Sequence, residues 1–164
     1  MQSKDAVMAA IDAWFFARPK LNSRDLVTGA SWEDADIVSA FSEIEQGSAI
    51  SPETIWHFRD SLAAFTSRGL VAVLPHYFRF CFHDSRLEVA DFLIYRLSSA
   101  DLRDKFWYET LQRLDIKQRS AICMFLRYFS VHDDVATPET TRLALAFWCD
   151  DSILLATECP YVSR

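Results

Sequence analysis

Three glycines, Gly29, Gly47 and Gly69, are all that a chain of 164 residues contains. Glycine supplies the positive φ of tight hairpin turns and the room that a phosphate-cradling loop needs. So few of them exclude a glycine-rich phosphate loop and count against a turn-rich β fold, which leaves helices to carry the chain. The helix starts agree. Ser51-Pro52-Glu53 and Thr137-Pro138-Glu139 each place a hydroxyl at the cap, proline at the first helical position and an acid in the first turn, where the helix dipole favours negative charge. Ser31-x-x-Asp34 and Asp115-x-x-Gln118 are looser capping boxes, and Ser3 is placed to cap a first helix.

These signals predict helices near 4–16, 32–45, 52–65, 68–74, 76–83, 86–97, 102–113, 116–130 and 138–149, with a short turn after Asp150. The expected fold is all-α: one compact domain over 1–164, of about eight or nine helices. At 51% apolar and 14% aromatic residues the chain can bury a core and is not disordered. Its apolar runs fall far short of a membrane span, so no membrane association is expected. The echo of SPET and TPET is a shared cap rather than a repeat, because IWHFRDSL and TRLALAFW do not align after it.

The stretch LPHYFRFCFHD, residues 74–84, fits two periods. As a strand it sets Phe78, Phe80 and Phe82 on one side; as a helix it gives an apolar face of Leu74, Tyr77, Phe78, Cys81 and Phe82, with His76, Arg79 and His83 opposite. Helix is the better reading, since a lone strand among helices has no partner for its backbone. On one helix His76 and His83 are separated by roughly 10.5 Å along the axis, too far to share a small ion at bond lengths near ~2.1 Å. Both are expected as ordinary helix-terminal side chains, His76 at a start and His83 at an end.

The run DSLAAFTSRGLVAVLPHYFRF carries Phe65, Thr66 and Leu74-Pro75-x-Tyr77, and LDIKQRSAICMFLRYF carries Gln118, Arg119, Ala121, Ile122, Phe125, Leu126 and Tyr128. In these two segments the chain resembles a bacterial family of small all-helical proteins of unknown function, over roughly residues 30–130. Arg68-Gly69 departs from the pattern, which has an acidic first turn there. The resemblance implies an all-helical domain and brings no activity, cofactor or catalytic residue with it.

Charge is unevenly placed. The net charge is −6, yet residues 25–58 hold seven acids and no Lys or Arg, whereas residues 59–127 sum to +3. In the helix expected over 32–45, Ile37, Phe41 and Ile44 face inward, so Trp32, Asp36, Ser39 and Glu43 follow an outward line. Trp32, Glu33, Asp36, Glu43 and Glu45 are therefore the candidate partner-binding residues, suited to a basic protein: unlike charges steer encounter, and tryptophan is a frequent interface anchor. Direct nucleic-acid binding is disfavoured, because Arg113, Lys117, Arg119 and Arg127 make only a thin basic strip.

An enzyme reading rests on His57, His83-Asp84 and Asp134, whose order resembles the H, HD, D layout of metal-dependent phosphohydrolases of the histidine-aspartate class. Converged, these four would hold one or two metal ions and activate water against phosphorus. Ser85-Arg86 stands where that class has a small residue and a lysine. No G-x-S-x-G or H-E-x-x-H is present, and the acid pairs Asp133-Asp134 and Asp150-Asp151 read as caps.

Cys81, Cys123, Cys149 and Cys159 are widely spaced with no C-x-x-C pair. That indicates neither a zinc site nor a disulfide framework, and three of the four are expected as buried thiols. Asp5 and Asp12 interrupt what would have to be the apolar part of a signal peptide, so a cytoplasmic location is expected. The leading expectation is a non-enzymatic interaction protein without cofactor, an immunity-like or antitoxin-like inhibitor of a basic effector. The metal-dependent phosphohydrolase is the alternative, and a homodimer stays open.

Overall fold

A computed structural model of the chain describes residues 3–15, 21–22, 25–29, 33–42, 49–83, 87–132 and 135–155. Among them are nine α-helices: α1 Lys4–Trp14, α2 Asp34–Ala40, α3 Pro52–His57, α4 Ser67–Cys81, α5 Glu88–Ser98, α6 Lys105–Arg113, α7 Ile116–Phe129, α8 Pro138–Trp148 and α9 Asp151–Leu155. A 3₁₀ turn, Ser61–Ala63, precedes α4. Among the described residues the only strand-like feature is an isolated antiparallel bridge between Val27 and Phe65, and no helix is long and apolar enough to cross a membrane. The all-α expectation is met.

Four of the expected caps form as read. Ser3, Ser51 and Thr137 accept from the backbone N–H groups of Ala6, Thr54 and Thr140, and Asp115 with Gln118 completes a reciprocal capping box. The box expected at Ser31 lies outside the described residues; α2 instead starts after Glu33, which makes no side-chain cap bond.

The centre of the fold corrects the sequence reading. The two helices expected over 68–74 and 76–83 are one, α4, which runs through Pro75. Proline inside a helix costs about 3 kcal/mol, because it removes a backbone donor and crowds the preceding turn. Here the surroundings override that cost: twelve of its fifteen residues are buried, and α4 contacts α1, α3, α5 and α6. The helix expected over 52–65 is broken instead, into α3 and the 3₁₀ turn, and Phe65 leaves the helical path to bridge Val27.

One hydrophobic cluster links all nine helices, from Val7 to Ile153. Phe78, Phe82, Phe125 and Phe129 stack within it at centroid separations of 4.6 to 6.0 Å, a range where edge and tilted aromatic pairs add to simple burial. The helix reading of residues 74–82 therefore holds for Leu74, Tyr77, Phe78, Cys81 and Phe82, all buried. It fails for His76, which is buried rather than at a helix start, and whose Nδ1 accepts the backbone N–H of Ile50 at 3.5 Å. Arg79 reaches Asp12 of α1 at 2.6 Å, and Lys4 of α1 donates to the Phe82 carbonyl at the end of α4.

Tyr77 closes this region. Fully buried, it donates its hydroxyl to the Phe58 carbonyl at 2.8 Å. Burial, reinforced by Asp60 and Cys81, pushes its phenol well above the usual tyrosine range. Tyr77→Phe is expected to lower stability by about 1 kcal/mol near neutral pH, since the Phe58 carbonyl keeps the Ser61 N–H. The pH sign follows from the raised pKa. An unfolded tyrosine ionises near ~10 while the buried one stays neutral, so the parent loses stability as pH rises above that value. Chemical denaturation on both sides of it should show a smaller loss for the variant.

Two further bonds tie the helical layers together. Arg119 of α7 is buried, and its two terminal nitrogens donate to the carbonyls of Leu111 at the end of α6 and Ile153 in α9, each at 2.9 Å. Cys123 of α7 and Cys149 at the end of α8 form a disulfide, with α-carbons 5.1 Å apart. This corrects the expectation of unpaired thiols; Cys81 does match it, as a buried free thiol. Spacing along the chain hid the pair, because the two cysteines are 26 residues apart and meet only when α8 folds back along α7.

Candidate functional site

The acidic segment is presented by α2 and α3. Ile37 and Phe41 are fully buried, and Phe41 sets its ring edge-on to Phe65 at 5.3 Å and tilted against Phe58 at 5.7 Å. These two anchors fix the rotation of α2. Asp36 and Ser39 consequently face solvent, as the helical line predicted.

Packing removes part of the expected acidity. Asp25 pairs with Arg68 at 2.9 Å. Glu33 accepts from the Ser61 hydroxyl at 3.4 Å, and Asp34 is buried rather than displayed. Among the described acids of the segment, Asp36 and Glu53 are exposed. Trp32, Glu43 and Glu45 lie outside the described residues. The face is narrower than the count of seven acids suggested.

The basic strip is reduced as well. Arg119 is buried and bonded to carbonyls, and Arg113 donates to the Ser67 hydroxyl at 3.4 Å. That same hydroxyl donates to Glu109 at 3.3 Å. The first turn of α4 carries no acid of its own, so Glu109 brings a carboxylate from α6 to the positive end of the α4 dipole. The carboxylate at this helix start comes from another helix.

Of the alternative metal set, His57 and His83 are exposed, at the ends of α3 and α4 respectively. His57 lies edge-on to Phe58 at 4.7 Å. Asp84 and Asp134 lie outside the described residues. Among the described residues no group of three or more His, Cys, Asp or Glu side chains is placed to hold a metal ion.

Sequence reasoning missed one concave surface. Where α7 gives way to α8 an open groove of about 800 Å³ has Val135, Leu145 and Ala146 among its apolar walls and His132 and Arg142 among its polar ones. His132 rests against the rings of Tyr128 and Phe129, at 5.4 and 5.8 Å. The Thr-Pro-Glu start of α8 was legible, but the groove depends on the hairpin angle between α7 and α8. No local pattern encodes that angle.

The candidate site is thus the outward face of α2, with Asp36 and Ser39 exposed, and an open groove lies at a separate helix junction. No protein-family model, curated protein or solved structure matches the chain. The matched residues of the resemblance have structural employment here: Thr66 caps α4, Gln118 completes the α7 cap, and Phe65, Leu74, Tyr77, Phe125 and Leu126 are core.

Proposed function

We propose that this chain is a non-enzymatic binding protein that docks a basic protein partner through the outward face of α2, in the manner of an immunity-like or antitoxin-like inhibitor. The observation that carries the reading is the fixed rotation of α2. With Ile37 and Phe41 locked in the core, Asp36 and Ser39 are held toward solvent, in a segment that has no Lys or Arg between residues 25 and 58. Glu53 adds a second exposed carboxylate, in the first turn of α3. Carboxylates held on a rigid element attract a cationic surface without an ordering cost at the moment of binding.

The test uses the basic proteins encoded beside this chain's gene, titrated by calorimetry at low and high salt. Asp36→Lys combined with Glu43→Lys is expected to weaken binding roughly tenfold or more and to flatten its salt dependence. An unchanged affinity and salt slope would overturn the assignment of this face, and so would a lack of binding by every basic neighbour. Circular dichroism of the variant, and of Asp36→Lys alone at its exposed position, guards against a folding artefact.

A further inference from the structure

Arg119 and Cys123 stand one helical turn apart on the same side of α7, and their partners Ile153 and Cys149 are likewise four residues apart, across the junction of α8 and α9. The chain running from the end of α8 into α9 is therefore tied to α7 at two successive points, covalently at Cys149 and by a guanidinium-to-carbonyl bond at Ile153. We infer that Cys123–Cys149 is a reversible redox clasp, whose opening by a dithiol reductant loosens α9 on α7 while the rest of the fold stays assembled. This is independent of the binding role of α2.

Access and anchoring both favour a reversible bond. Cys149, at the end of α8, is the less buried of the two, whereas Cys123 is buried in the face of α7. In the clasp a reductant thiolate attacks the Cys149 sulfur, the less buried side of the bond. Attack there forms a mixed disulfide on Cys149 and expels Cys123 as a thiolate, which takes up a proton. The second thiol of the reductant then displaces Cys149 and closes its own disulfide. The protein gains two electrons and two protons, and the dithiol loses them. Expulsion of Cys123 into apolar surroundings makes the first step slow, because such a site disfavours the thiolate.

After reduction the two thiols remain neighbours. Trp148, the residue before Cys149, is fully buried and donates its indole N–H to the Leu97 carbonyl at 3.0 Å, so the last turn of α8 stays docked. The bond can then re-form from a held geometry. Beyond Cys149, by contrast, α9 retains the Arg119 bond to Ile153 and the burial of Ile153, a much smaller hold. A disulfide that persists is ordinarily a mark of an oxidising compartment. A clasp that opens and closes is compatible with a reducing one as well.

The experiment treats the full-length chain with dithiothreitol, then with glutathione buffers of graded potential. Cysteine alkylation is read peptide by peptide and amide hydrogen exchange is read in parallel. Reduction should label Cys123 and Cys149 together, speed exchange across 150–155 about tenfold or more, and leave α4 unchanged. The melting temperature should fall by roughly 10 °C and recover on reoxidation. Arg119→Gln should enlarge the exchange increase at 150–155 on reduction. Cys149→Ser should mimic the reduced state, and if that variant does not fold, the reduced parent supplies the same reading. The inference is overturned if both cysteines are labelled and 150–155 exchanges as before, if reduction occurs only as the whole chain unfolds, or if the two cysteines are found as thiols in the oxidised preparation.

Discussion

Gly69→Ala is expected to lower the stability of this protein by about 3 kcal/mol, although the same change at an open helix position raises it by up to about 1 kcal/mol. The opposite sign comes from one contact. A β-carbon built on Gly69 would stand 2.0 Å from the carbonyl oxygen of Leu26, 2.9 Å from its carbonyl carbon and 3.2 Å from its α-carbon. All three are backbone atoms, so no side-chain rotation can make room. To relieve the clash the segment around Leu26 must withdraw from the start of α4. Its withdrawal breaks the Thr66 N–H bond to Leu26 at 3.0 Å, the Thr28 N–H bond to Ala64 at 2.9 Å and the Thr66 hydroxyl bond to the Asp25 carbonyl. The Arg68–Asp25 pair goes with them, though at an exposed site it contributes little. Urea denaturation with circular dichroism measures the loss directly. A variant as stable as the parent would show that Leu26 does not lie against α4 in solution.

Trp148→Ala is expected to cost about 4 kcal/mol, the range for deleting a buried aromatic. Trp148 is wholly buried where α8 meets α5, edge-on to Trp107 at 5.9 Å. Removing it leaves a large void against residues that cannot collapse into it, since Trp107 and Leu97 are themselves fully packed. Trp148→Phe separates volume from hydrogen bonding. The smaller ring fills part of the space, and the Leu97 carbonyl keeps the Ala100 N–H, so lost bonding should account for only about 1 kcal/mol of the change. The alanine variant should also weaken the last turn of α8 selectively, seen as faster amide exchange there than in α4. Equal exchange in both helices would mean that Trp148 supports the whole core rather than the α5–α8 contact.

How much of this was legible beforehand differs from element to element. The starts of α1, α3, α7 and α8 were readable because a cap is local chemistry: a hydroxyl or carboxylate and the N–H it satisfies are three residues apart. The inward side of α2 was readable for the same kind of reason, since Ile37 and Phe41 repeat at the helical period. Pro75 misled, because proline is a good first residue of a helix and only the burial around α4 holds the chain helical through it. His76 misled with it, since a helix start was placed where the middle of one lies. The fate of the acids was hidden too. Asp25 meets Arg68 across 43 residues and Glu33 meets Ser61 across 28, so the width of the acidic face depended on contacts that no window of sequence contains.

The sequence by itself determined the all-helical class, the positions of most helix starts and the apolar sides of α2 and of the second half of α4. Each follows from interactions among residues within a turn or two of one another, and these hold before any packing exists. Tertiary structure alone decided that α4 is continuous, that Gly69 has no room for a side chain, that Cys123 finds Cys149, and that Glu109 serves a helix other than its own. Each of these is a contact between distant parts of the chain, set by how the helices cross.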